Sequence, residues 1–96
     1  MNSNQSSGQL DLSRHAVKAN VNGWGLARLK GQEQDRNVVV GHCVVHGVGG
    51  QTTQVVGFDP QTHRVLTRSG SVYQLGVPNL GFAVANRHLM AHLGYD

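Results

Sequence analysis

Six histidines stand in a chain of 96 residues, and their spacing is the first feature that could do chemistry. His42, Cys43 and His46 form a His-Cys-x-x-His cluster, while His88 and His92 lie four residues apart. Imidazole and thiolate are zinc ligands, and two histidines at i and i+4 share one face of a helix. Four ligands would gather if that helix packed beside the strand holding His42 and His46. The strand itself opposes this, because alternate side chains leave on opposite faces and Cys43 parts from its neighbours. His42 and His46 would also stand roughly 13 Å apart along it. The segment His88-Leu89-Met90-Ala91-His92 lacks the glutamate of the metalloprotease pattern. His42, His46, His88 and His92 are therefore weak metal candidates, and no cofactor is expected.

Catalysis has little to draw on. Cys43 with a nearby histidine is the sole nucleophile–base pair that can be drawn. A cysteine among valines behaves as a small apolar side chain with a raised pKa, not as a thiolate. Of five carboxylates, Glu33 and Asp35 fall in a polar loop, Asp59 in a turn, and Asp11 and Asp96 near the ends, so no acid/base pair emerges. Gly47-Val48-Gly49-Gly50 follows a strand, but it has neither a Walker lysine nor dinucleotide spacing and reads as a hairpin loop. The chain is not expected to be an enzyme.

Basic residues offer another chemistry. Arg64 and Arg68 fall on one face of a strand, and Arg28 and Lys30 alternate on another. If those strands are neighbours, a basic stripe beside Tyr73 or Trp24 could follow a phosphate backbone and stack bases. The competing reading is ordinary solvated arginines that also discourage edge-to-edge pairing. The net charge of +3 allows nucleic acid or an acidic protein and demands neither.

These groups need elements to hold them. Trp24–Lys30 reads as a strand led by a tryptophan. Val38–His46 is rich in β-branched residues and reads as a second strand, with Gly41 marking a bulge or a close approach. Thr52–Phe58, His63–Arg68 and Val72–Leu75 form a meander joined by Asp59-Pro60-Gln61-Thr62 and by Arg68-Ser69-Gly70-Ser71. Leu12–Asn22 reads either as a short helix capped by Ser13 or as an extended lead. Asn79 suits an N-cap and Gly94 a C-terminal cap. Between them Phe82, Ala83, Leu89, Met90 and Leu93 make one helical stripe, with Arg87, His88 and His92 opposite. Leu80 and Val84 lie off that stripe, which calls for a later helix start or a second contact on their side.

The predicted fold is α+β and mostly β. It is a small curled antiparallel sheet or SH3-like barrel of about five strands with a C-terminal amphipathic helix, and a flatter α+β sandwich is the alternative. Residues 1–10 are polar and predict a disordered tail before a single β-rich domain over 11–96. The lone Cys43 excludes an internal disulfide, the N-terminus lacks a basic region followed by an apolar run, and no apolar stretch could span a bilayer. A cytoplasmic protein without membrane attachment is expected. Homodimerisation through an exposed Val38–Val45 edge is a further option.

The segment Trp24-Gly25-Leu26-Ala27-Arg28-Leu29-Lys30-Gly31 and the meander Phe58-Asp59-Pro60-Gln61-Thr62-His63-Arg64-Val65-Leu66-Thr67-Arg68-Ser69-Gly70-Ser71-Val72-Tyr73-Gln74-Leu75-Gly76 together resemble small uncharacterised proteins of proteobacteria and their phages and plasmids. In these a Trp-led strand precedes a Thr-x-Ser-Gly-Ser-x-Tyr-x-Leu-Gly hairpin. The likeness covers about half the chain and carries no catalytic residue. It implies a mobile-element protein that binds and blocks a host protein, as anti-CRISPR proteins do. The leading expectation is thus a non-enzymatic interaction domain with a protein partner, followed by a nucleic-acid-binding barrel and then a zinc-stabilised domain.

Overall fold

The computed structural model describes residues 10–27, 38–47 and 49–95. Six strands, β1 (Ala19–Val21), β2 (Gly25–Ala27), β3 (Cys43–His46), β4 (Gly50–Asp59), β5 (Arg64–Thr67) and β6 (Val72–Leu75), precede two short helices, α1 (Leu80–Ala85) and α2 (Arg87–Leu93). The strands form one sheet in the order β1-β6-β5-β4-β3-β2. The domain is α+β and mostly β, with the sheet curled into a half-barrel.

Chain connectivity imposes the curl. β1 and β2 are the two edges of the sheet, yet only Asn22-Gly23-Trp24 separates them. Four Cα steps reach at most about 14 Å, whereas the edges of a flat six-stranded sheet lie about 24 Å apart. The sheet must bend until one stretch of backbone serves both edges. β1 pairs with β6 in parallel, the other ladders are antiparallel, and Trp24 bridges Pro78 just beyond β6. Leu12–Asn22 forms no helix: a turn closed by His15 N–H donating to the Leu12 carbonyl at 3.1 Å leads into Ala19–Val21, which supplies the sixth strand.

The meander forms as its turn chemistry predicts. Thr67 Oγ1–H donates to the Ser71 carbonyl at 3.0 Å and Gly70 N–H to the Thr67 carbonyl at 2.8 Å, closing the hairpin between β5 and β6. β4 runs longer than predicted and pairs with β3 through its first half and β5 through its second. A register shift between Val55 and Gly57 leaves Val56 pointing to solvent, which is the geometry of a bulge.

Two expected elements are corrected. Val38–His46 is not one strand: the backbone turns through Val39–Gly41, with Gly41 at φ 98°, and only Cys43–His46 pairs. His42 N–H reaches the Val39 carbonyl at 3.1 Å, a turn that strand alternation would forbid. β3 also has β2 on one side and β4 on the other, so it offers no free edge for a homodimer. The predicted single helix is split at Asn86, which has φ −129° and ψ 50°. Its side-chain amide donates to the Phe82 carbonyl at 2.8 Å, and this local bond competes with the helical ladder. Asn79 caps α1 by accepting from Phe82 N–H at 3.0 Å, and Gly94 closes α2 in the left-handed conformation.

The core fills the hollow of the curled sheet. Trp24 is fully buried at its centre, among Val21, Val44, Val55, Phe58, Val65, Leu75 and the α2 residues Leu89, Met90 and Leu93. The chain before β1 is strapped across the meander. Leu10 N–H donates to the Phe58 carbonyl at 3.0 Å and Leu12 N–H to Asp59 Oδ2 at 2.7 Å. The side chain of Leu10 occupies the space where a Cβ on Gly57 would stand. Leu10 is therefore part of the fold, one residue earlier than the predicted domain start.

Candidate functional site

Among the described residues, those singled out from the sequence do not converge. Arg28 and Lys30 lie outside the described residues, as do Glu33 and Asp35. Arg64 donates through Nε to Gln74 Oε1 at 2.9 Å and through one terminal nitrogen to the carbonyls of Leu12 and Ser13, both at 3.0 Å. Its guanidinium is spent on holding the strap. Arg68 is exposed and approaches Gln54 Oε1 at 3.4 Å. Tyr73 is half-buried against the core, and Trp24 lies inside the core rather than on a stacking platform.

The histidines are likewise dispersed. His42 is buried in the turn before β3, beside buried Cys43; His46 ends β3; His88 and His92 are exposed on α2. Among the described residues no three His, Cys, Asp or Glu side chains form a group that could hold a metal ion. His63, which the sequence merely places at the start of a strand, takes φ 59°, a region unusual for a non-glycine residue. Its ring stacks on Tyr95 at 4.3 Å between centroids.

A different surface stands out. Val77, Leu80 and Val84 are 71, 77 and 56% exposed. They cluster in sequence around Pro78 and along α1, a helix with no buried residue. Six residues do not make a stable helix alone, so neighbours must hold this one. Asn79 caps its start, and Phe82 packs on Trp24 at 5.8 Å and against the bare Cα of Gly25. The approach to α1 is pinned on both sides. Asn22 Oδ1 accepts from Val77 N–H at 3.0 Å, Gly23 N–H donates to the Val77 carbonyl at 2.6 Å, and Asn79 N–H donates to the Trp24 carbonyl at 2.8 Å. A rigid backbone thus presents three branched apolar side chains to solvent.

Beside this shelf runs a groove of about 500 Å³, lined by Pro78, Ala83, Val84, Arg87, Met90, Ala91 and Tyr95. A second, shallower hollow of about 390 Å³ shares Pro78 and Tyr95 and reaches His63 and Asn22. Tyr95 is the wall between them. Its hydroxyl donates toward the Gly76 and Leu75 carbonyls at 3.0 and 3.2 Å, and Trp24 Nε1–H donates to the same Gly76 carbonyl at 3.0 Å. Burial pushes the Tyr95 phenol up to about 12, against a smaller lowering effect of Trp24. The phenol is therefore a fixed neutral donor at neutral pH. The described lining residues include no nucleophile and no carboxylate, and their apolar side chains suit an apolar side chain of a ligand.

The sequence held one sign of this surface: Leu80 and Val84 fall off the buried stripe of the helix. Tyr95 and the groove gave none, because they depend on the break at Asn86 and on contacts between distant segments. No helix among the described residues is long and apolar enough to cross a membrane. Comparisons with protein-family models, curated proteins and solved structures return no match.

Proposed function

We propose that the domain is a non-catalytic binding module that docks a protein partner on the shelf formed by Val77, Leu80 and Val84 and on the adjoining groove. One observation carries the reading: Leu80 and Val84 of α1 face solvent while Phe82 of the same helix anchors it on the core. Leu80 and Val84 stand one turn apart on α1, and Val84 borders an apolar groove; exposed apolar surface of this kind marks an interface, and a rigid backbone lowers the ordering cost of binding. The resemblance to small proteins of phages and plasmids supports an inhibitory role against a host protein, as in anti-CRISPR proteins. The free thiol of Cys43 suits a reducing cytoplasm. Nucleic acid fits this surface less well, because Val77, Leu80 and Val84 are aliphatic, Arg87 is the one cationic residue among the described lining, and Arg64 is engaged internally.

The test is affinity capture from a proteobacterial lysate with the wild-type chain and with the double variant Leu80→Asp/Val84→Asp. Both positions are exposed, so the variant is expected to fold. A stoichiometric protein held by the wild type and lost by the variant is the predicted result. Equal recovery by both chains, or no stoichiometric protein, contradicts the proposal.

A further inference from the structure

We infer that the occupant of the groove is a short acidic amphipathic segment of a protein, with one or two bulky apolar anchors flanked by carboxylates. The inference rests on the docking reading above and specifies the chemistry of the partner.

Charge carries the first part. From Val77 to Tyr95 the chain contains no Asp or Glu. Arg87 lines the groove and is exposed, and His88 and His92 are exposed on the same helix. A second copy docking face to face would set Arg87 against another Arg87, with no carboxylate among the described lining residues of either groove (Asp96 lies outside the described residues), and like charges across an interface are costly. An acidic segment meets the same rim with opposite charge.

Shape carries the second part. The groove is a concavity of about 500 Å³, room for large side chains entering from one strand or helix turn. A lipid surface would cover the protruding Leu80 and Val84 without filling it. Met90 lies in the lining beside the rigid ring of Tyr95, and a methionine adapts to irregular apolar shapes. An apolar anchor inside and a carboxylate at the rim match a desolvated centre with a charged border.

A phage-displayed library of random dodecapeptides, panned against the wild type, Val84→Asp and Arg87→Glu, tests this; circular dichroism confirms that each variant is folded. The wild type is expected to enrich peptides that combine Leu, Phe or Trp with Asp and Glu. Synthetic copies should lose binding to Val84→Asp and bind Arg87→Glu roughly tenfold more weakly, with Arg87→Glu enriching Lys and Arg instead. Peptides that depend on Val84 but show no acidic bias overturn the inference and leave the docking surface standing. Peptides indifferent to Val84→Asp, or no enrichment, contradict both. Val84-dependent binding to phosphatidylserine vesicles, or a Val84-dependent dimer in sedimentation, assigns the groove to another occupant and overturns the inference.

Discussion

Asp59 is buried, yet its carboxyl is held below the ordinary value of 3.8. Burial alone would raise it; hydrogen bonds from the Leu12, Gln61 and Thr62 backbone outweigh that effect. The sequence showed half of this role. Asp before Pro predicts a carboxylate that accepts from the turn that follows, and Gln61 N–H does donate to Oδ1 at 2.9 Å. The other half, the bond from Leu12, joins residues 47 positions apart and leaves no trace in local pattern. Replacing Asp59 with Ala strands the Leu12 and Gln61 donors and should cost about 1–3 kcal/mol in chemical denaturation. The folded pKa lies below the unfolded one, so the contribution is complete above the unfolded value and is lost as pH falls through the folded value. Denaturation of wild type and Asp59→Asn should therefore differ at neutral pH and converge in acid below about pH 4. A constant gap across that range would contradict the latch.

Tyr95 gives the opposite sign. Its folded pKa of about 12 exceeds the ordinary 10.0, so its contribution is complete below pH 10.0 and is lost as pH rises through about 12. Tyr95→Phe keeps the ring and removes the bond to the Gly76 carbonyl, an expected loss of about 0.5–1.5 kcal/mol at neutral pH. Thermal melts should show that gap narrowing in the alkaline range.

At the scale of elements, the meander was legible because its turns are written in adjacent residues: Asp59-Pro60, and Ser69-Gly70 between β-branched runs. The two caps of the helical region were legible for the same reason. Three features were not. The valines at 38–40 have strand propensity, but the turn at Gly41 and the pairing of β3 with both neighbours decide where the strand begins. The break at Asn86 depends on a side-chain bond within an otherwise helical pattern. Ala19–Val21 becomes a strand because β6 offers it an edge, a tertiary choice that three residues cannot announce. The bulge in β4 makes a further prediction. Gly57→Val would drive a side chain into the place of Leu10, and overpacking of this kind costs about 1–3 kcal/mol. Hydrogen exchange at Leu10 and Leu12 should rise in this variant. Protection unchanged at both amides would contradict the strap.

At the scale of the molecule, one principle organises the chain. A sheet whose edges come from one segment must curl, and the hollow is filled by Trp24 and closed by α2. α1 is left over, tied to the rim and facing outward. The described histidine, cysteine and arginine candidates of the sequence disperse on this frame: Cys43 is buried, Arg64 is bonded to the strap, and His88 and His92 lie on the exposed side of α2 and join no metal-holding group among the described residues. The proposed binding surface instead uses residues of no chemical distinction, Val77, Leu80 and Val84, which gain meaning only from their position.

Hydrogen-exchange footprinting of the complex recovered by affinity capture tests this account most directly. Protection gained over residues 77–91, with the β5 and β6 amides unchanged, is the predicted result. Protection confined to β5 and the turn after it that bears Arg68, with the α1 segment exchanging as in the free protein, would contradict it.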